Sequence, residues 1–373
     1  MKICIDARWI SPELSGIGVY TRELIRELAL LDKRNQYVCL FDADETLEHT
    51  RETTSFDQNP NWSAARVDHG IFSPLGQLRM PRWLKQHQID IFHSPNWMVP
   101  LAAFPAGRRG QTACVVTVHD LIPLLFPDNA PLSKKRRFFP LYRALMRSLG
   151  KRADRIIAVS KASARDIIEH LPVPAECVEV IYNGVSDVYC PGSLPREPVI
   201  LYVGRLDPYK NVPLLIESFA SVREQLGPGA RLEIIGPADD RYPETARTID
   251  RLGLRESVVQ RNYVSDAELL GAYQRARLLV LPSSYEGFGL PLVEAMACGT
   301  PVICSQASSL PEVVGEVGVL FESGNQKSLS DAIASVWQTP PTSGRLQDQA
   351  ARFTWRKTAE EVLRVYESLT ASL

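Results

Sequence analysis

The stretch Glu286-Gly287-Phe288-Gly289-Leu290-Pro291-Leu292-Val293-Glu294 follows one apolar run, Leu278 to Leu281, and leads into another, Leu292 to Ala297. A strand, a glycine-bearing loop and a helix in that order make one step of a parallel α/β sheet. Pro291 suits a first helical turn, where no N–H is needed. Such a helix start offers free backbone N–H groups and a partial positive charge, which together seat an anion. Glu286 and Glu294 stand eight positions apart, the first in the loop and the second about one turn inside the helix. Two acids beside an anion seat repel a phosphate unless they have another task. Accepting hydrogen bonds from the hydroxyls of a sugar attached to that phosphate is such a task. A solvated surface loop would not need two glycines between a strand and a core helix.

The same alternation fills the chain. Lys2 to Asp6, Tyr37 to Phe41, Ile89 to Phe92, Ala113 to Val118, Arg155 to Val159 and Val178 to Tyr182 read as strands of a first sheet. Val199 to Val203, Leu232 to Ile235, Val258 to Val259, Leu278 to Leu281 and Pro301 to Cys304 read as strands of a second. Short apolar runs separated by helical stretches argue for parallel sheets covered by helices. The turn-rich run Cys190 to Pro198 reads as a linker. The expected fold class is α/β, with Rossmann-like domains at 1–190 and 191–354 and a last helix in 355–373.

Length and composition bound the function. A chain of 373 residues, 45% of them apolar, has room for two or three ordinary domains. A net charge of −1 weighs against general nucleic-acid binding. No run of 18 apolar residues and no basic leader with an apolar stretch behind it is present, so a cytoplasmic protein is expected. The seven cysteines form no Cys-x-x-Cys pair, and Cys4, Cys39, Cys114 and Cys304 lie in apolar strand-like runs. They read as reduced core residues. Asp42-Ala43-Asp44 has the look of an Asp-x-Asp metal clamp, but its acidic surroundings after a strand favour solvated side chains. No metal site is expected.

Three further places carry candidate chemistry. Gly204-Arg205-Leu206-Asp207-Pro208-Tyr209-Lys210-Asn211 directly follows the first strand of the second half. Ligands of open parallel sheets bind beyond the C-terminal strand ends. Arg205 and Lys210 there could hold a diphosphate, one by forked hydrogen bonds and one as a point charge. Asn211 is placed to cap the next helix. Ser15-Gly16-Ile17-Gly18-Val19-Tyr20-Thr21 hints at a dinucleotide fingerprint, but Thr21 replaces its third glycine and the pair lies ten residues past Asp6. Thr117-Val118-His119-Asp120-Leu121-Ile122-Pro123 ends a strong strand, and Phe92-His93-Ser94-Pro95 ends the one before it. A histidine at a strand end is either a satisfied structural group or part of a site, and the residues alone leave that open.

The Glu286–Glu294 block continues into Ala295-Met296-Ala297-Cys298-Gly299-Thr300-Pro301-Val302, Leu310-Pro311-Glu312-Val313-Val314 and Gly318-Val319-Leu320-Phe321. As a whole it resembles the Glu-x7-Glu motif of the family-four retaining glycosyltransferases of GT-B architecture. The resemblance implies two Rossmann-like domains facing across a cleft, acceptor on the first and nucleotide sugar on the second, with the last helix crossing back to the first. It implies that Arg205 and Lys210 contact the donor diphosphate and that His119 lies near the donor sugar. It assigns Glu286 to the sugar, Glu294 to the ribose, and Gly204, Gly287, Phe288, Gly289 and Leu290 to the donor site. Gly16 and Gly18 belong by the same resemblance to a loop that closes over the donor phosphate. His93 and Asp120 are candidates for the acceptor side.

The His-Asp-Leu-Ile-Pro form resembles bacterial polysaccharide mannosyltransferases, so GDP-mannose is the expected donor, without a metal or other cofactor. The expected acceptor is a lipid-linked or polysaccharide glycan. Lys134-Lys135-Arg136-Arg137 runs into Arg143, Arg147, Lys151 and Arg152, with Leu141, Leu145, Met146 and Leu149 as the apolar counterpart. Such a helix either presents a solvated basic face or rests on an anionic membrane. Rival readings are a nucleotide-sugar epimerase of the same fold, a dinucleotide-dependent oxidoreductase and a non-catalytic nucleotide-sugar sensor.

Overall fold

Strands buried on both faces need an apolar residue at nearly every position, and the central strands here have them. A computed structural model of the chain describes residues 1–10, 16–107, 109–127, 139–193, 195–239 and 241–370. The first sheet contains β1 (Lys2–Asp6), β2 (Gln36–Phe41), β3 (Trp62–Arg66), β4 (Ile91–Ser94), β5 (Ala113–Val118), β6 (Arg155–Ala158) and β7 (Val178–Val180). Its order is β3-β2-β1-β4-β5-β6-β7, every pair parallel. The second contains β8 (Val199–Val203), β9 (Arg231–Ile235), β10 (Val258–Arg261), β11 (Leu278–Leu281), β12 (Val302–Ser305) and β13 (Val319–Phe321). Its order, β10-β9-β8-β11-β12-β13, is also parallel throughout. Both sheets are Rossmann-like. Each reverses its strand order once, between β1 and β4 and between β8 and β11. Those are the points where such sheets open a crevice at their C-terminal ends.

The chain forms two compact units. The first draws on Met1–Leu121, Phe138–Gly184 and Trp355–Leu373, and the second on Ile122–Arg137 and Val185–Thr354. The helix Trp355–Thr370 packs against Gly16–Leu31 within the first unit. Trp355, Thr358, Ala359, Val362, Val365, Tyr366 and Leu369 are its buried stripe, at helical spacing.

Several details differ from expectation. β3 and β13 escaped the sequence reading because both are edge strands. Trp62-Ser63-Ala64-Ala65-Arg66 has no β-branched residue, and β13 is three residues long. Within the run Cys190 to Pro198 one residue is firmly anchored. Arg196 inserts its guanidinium among the carbonyls of Tyr273, Gln274, Ala276 and Cys298 and the hydroxyl of Thr300, at 2.6–3.3 Å. It thereby satisfies carbonyls left open where the helices Asp266–Arg275 and Leu290–Ala297 end. Asp44 begins the helix Asp44–Thr54 and pairs with Arg66, while Asp42 is half-buried and its carboxyl is pushed up mainly by that burial. All seven cysteines are free, and Cys4, Cys39, Cys114 and Cys304 are buried on strands. No helix among the described residues is long and apolar enough to cross a membrane. The basic cluster Lys134 to Arg137, like Ser15, lies outside the described residues.

Candidate active site

The second unit assembles its site where β8 and β11 diverge. β8 ends at Val203, and Gly204 follows with a φ of 149° that glycine adopts most readily. Its neighbour at the end of β9 is Gly236, where a Cβ would lie 1.9 Å from the Gly204 carbonyl. Any side chain there would push the Gly204 loop out of place. The sequence signal for it was a lone Gly after the apolar strand Arg231–Ile235, which is weak by itself.

Two loops that are far apart in sequence are stitched into one structure here. Lys210 Nζ donates to Glu286 Oε1 at 2.6 Å, and both side chains are nearly buried. Asn211 donates to the Pro282 carbonyl at 3.2 Å and the Ser284 hydroxyl at 2.6 Å. The Ser284 N–H donates to the Tyr209 carbonyl at 2.8 Å. This corrects the expectation that Asn211 caps the next helix. Its backbone has a φ of 53° and its side chain makes no cap bond. Arg205, by contrast, is exposed and paired with Asp207 at 2.9 Å.

Serines fix the Glu286 peptide. The Ser308 hydroxyl accepts from the Glu286 N–H at 2.8 Å and donates to the Glu286 carbonyl at 2.9 Å. Ser309 donates to the carbonyls of Glu286 and Phe288, and Ser283 donates to the Glu286 carboxylate at 2.6 Å. Ser308 holds a φ of 45°, a left-handed conformation costly for a serine and sustained here by those two bonds. None of these serines stood out in the sequence.

Gly287, Phe288 and Gly289 are buried, and Gly289 starts the helix Leu290–Ala297 with a φ of 99°. A Cβ there would meet Leu310 at 2.9 Å. One turn in, Glu294 accepts from the Tyr273 hydroxyl at 2.6 Å. Burial raises its carboxyl to about 7, opposed by hydrogen bonds from Tyr273 and Tyr189. The folded state therefore keeps this proton after the unfolded chain has lost it. That contribution to stability is complete below about pH 4.5 and disappears as pH rises through 7. Glu294→Gln does not titrate, so between pH 5 and pH 8 it is expected to gain on the wild type by on the order of 2 kcal/mol in urea unfolding. An unchanged difference at the two pH values would contradict the assignment.

The first unit places His119 just past β5. Its Nε2 lies 3.0 Å from the Pro95 carbonyl, which can only accept, so Nε2 carries the proton and Nδ1 is left as an acceptor. Burial lowers its pKa to about 4, so the ring is neutral at pH 7. The Tyr20 ring meets it edge to face at 5.0 Å. Asp120 is half-buried beside it. Gly16 and Gly18 stand in the first turn of the helix Gly16–Leu31, Gly16 exposed and Gly18 buried, rather than in a separate loop. His93 does not fit an acceptor role. It is fully buried, with Nδ1 2.6 Å from the Tyr366 hydroxyl and Nε2 2.9 Å from the Thr117 hydroxyl. Thr117 in turn lies 2.9 Å from the Tyr20 hydroxyl. Among the described residues no group of three His, Cys, Asp or Glu is placed to hold a metal ion.

Two parallel sheets of the same winding, with a polar site at a reversal point, are the architecture of the GT-B glycosyltransferases. Residues 14–188 match the family model for glycosyltransferase family 4, and residues 191–370 match that for glycosyl transferases group 1. The chain is 30% identical over 428 residues to the MMP alpha-(1->4)-mannosyltransferase of Mycolicibacterium hassiacum, covering 100% of this chain and 99% of that protein. It is 29% identical over 397 residues to O-antigen chain mannosyltransferase B of Escherichia coli, covering 99% and 100%. Anabaena HepE, solved with UDP and glucose, shares the fold with a TM-score of 0.74 at 22% identity, over 99% of this chain and 100% of that one. The protein belongs to glycosyltransferase family 4, the group 1 glycosyl transferases.

Proposed function

We propose that this glycosyltransferase moves mannose from GDP-mannose to a hydroxyl of a lipid-linked or polysaccharide glycan, retaining the anomeric configuration and using no metal. The observation that carries this is the nearly buried Lys210–Glu286 pair at the reversal point of the second sheet. The choice of mannose rests on the two full-length mannosyltransferase relatives.

In this reading, the arriving diphosphate draws the ammonium of Lys210 toward itself. Glu286 is thereby freed to accept hydrogen bonds from the sugar hydroxyls. Arg205 and the helix start at Gly289-Leu290 add positive potential where negative charge grows on the leaving phosphate. Glu294, poised near pH 7, both accepts from and donates to the paired hydroxyls of the ribose. Neutral His119 offers Nδ1 to a sugar hydroxyl without adding positive charge beside a ring that becomes positive. The bond from the anomeric carbon to phosphate breaks as the bond to the acceptor oxygen forms on the same face, and a phosphate oxygen takes the acceptor's proton. The reaction takes place in the cytoplasm, at the inner membrane face when the acceptor is lipid-linked.

A thermal-shift panel of nucleotide sugars tests the donor. GDP-mannose at about 100 times its Kd is expected to stabilise the protein by roughly 2.7 kcal/mol. Stabilisation by a UDP-hexose and not by GDP-mannose would overturn that choice. Activity is expected to survive EDTA, and Lys210→Ala to lower kcat/KM by about 10²-fold or more. Loss of activity in EDTA, restored by magnesium or manganese, would sink the metal-free mechanism.

A further inference from the structure

We propose that a row of aromatic rings at the C-terminal edge of the first sheet, Trp9–Phe72–Trp97–Tyr142, is the track on which the saccharide acceptor lies. The four rings come from four separate segments of the first unit. Trp9 follows β1, Phe72 lies in the loop after β3, Trp97 follows β4, and Tyr142 stands on the helix Phe139–Gly150. β1 and β4 are the strands between which the sheet reverses its order, so the two tryptophans flank its crevice. Neighbouring centroids are 5.9, 5.9 and 5.0 Å apart in sequence of the row. The first and last contacts are edge to face and the middle one is tilted. Phe72 is 62% exposed, a large aromatic surface that no core explains.

The turns that carry the tryptophans are held rigidly. Arg8, beside Trp9, is buried and bound to both carboxylate oxygens of Asp6 at 2.7 Å, with a further bond to the His69 carbonyl at 3.2 Å. The Asn96 side chain accepts from the Trp97 N–H at 2.8 Å. Little ordering entropy is left for a ligand to overcome. The row begins at the reacting end of the unit. His119 bonds to the Pro95 carbonyl, two residues before Trp97, and the Tyr142 phenol lies within the field of Asp120.

The chemistry of the row fits a neutral sugar chain. Pyranose rings present a face of C–H groups that stacks on aromatic rings, with hydroxyls left at the rim for polar partners. Arg8 is paired with Asp6, so it offers no free cation to attract a phosphate surface. The inference rests on the glycosyltransferase reading above, with His119 at the reacting end.

The test titrates the full-length protein with mannotriose and, separately, with GDP, following tryptophan fluorescence and heat. Saturable mannotriose binding is expected, weakened about tenfold or more by Phe72→Ala and by Trp97→Ala, with GDP affinity within about twofold of wild type. Phe72 is on the surface, so its removal does not threaten folding. Absence of saturable mannotriose binding, or equal affinity in the Phe72→Ala protein, overturns the proposal. Phe72→Ala losing co-sedimentation with phosphatidylglycerol vesicles while keeping its mannotriose affinity would make the row a membrane face instead. Normal mannotriose behaviour with no GDP binding would leave the track standing and overturn the donor assignment.

Discussion

Glu286→Gln is expected to lower kcat by about 10²-fold while leaving affinity for free GDP unchanged or higher. Two effects separate here. The carboxylate in the proposed mechanism binds the reacting sugar, and its charge grows in value as the sugar ring becomes positive. Losing it removes an interaction that is strongest in the transition state, so kcat suffers. The same carboxylate holds Lys210 at 2.6 Å in the resting protein. A diphosphate must compete with it for that ammonium. With glutamine in its place the competition weakens, and GDP, which has no sugar to lose, binds at least as well. The unliganded variant should also be less stable, because a nearly buried ammonium has lost its counter-charge, and GDP should restore much of that loss. Steady-state kinetics and calorimetry decide the matter. Wild-type turnover, or a GDP affinity that falls in step with kcat, would remove Glu286 from the site.

Acid should weaken the first unit sharply. His93 and His119 are held neutral by burial, with pKa values of about 3 and about 4 against an ordinary 6.5. The unfolded chain therefore takes up protons first as pH falls. Their contribution is complete above pH 6.5 and is lost on the way down toward 4 and 3. At pH 5 both rings are charged in the unfolded chain and neutral in the folded one. Each factor of ten in proton affinity is worth about 1.4 kcal/mol. The two together should cost about 3 to 4 kcal/mol between pH 7 and pH 5, the smaller share from the partly solvated His119. Urea unfolding at the two pH values measures this, with His93→Gln as the control that cannot titrate. An identical pH dependence in wild type and His93→Gln would refute it. Glu294 works in the opposite direction in the second unit, since its proton favours the fold as pH falls.

The pattern of what could be read from the chain follows from the physics. Central strands are buried on both faces and so announce themselves as apolar runs, whereas β3 and β13 have one partner each and few constraints on composition. Glu286, Lys210 and His119 were legible as residues at strand ends, but their partners were not. The Lys210–Glu286 bond spans 76 positions, and nothing local in either segment encodes it. Ser283, Ser308 and Ser309 act through hydroxyls aimed at one peptide, which no spacing rule captures. His93 stayed open in the sequence because a strand-end histidine looks the same whether its ring meets a ligand or the Tyr366 hydroxyl.

That hydroxyl arrives very late. The first unit opens with β1, yet the helix Trp355–Thr370 that packs in it follows the whole of the second unit in sequence. During synthesis, most of the N-terminal sheet leaves the ribosome long before the helix that covers it. Until then His93 lacks the Tyr366 hydroxyl, the Thr358 hydroxyl has not yet reached the Tyr182 carbonyl, and Gly16–Leu31 lacks its packing against Trp355–Thr370. A nascent chain stopped at residue 354 would hold a finished second unit and an unfinished first one. Truncation after residue 354 is therefore expected to leave an exposed apolar seam on the first unit while sparing the second, read as faster limited proteolysis of the first unit alone.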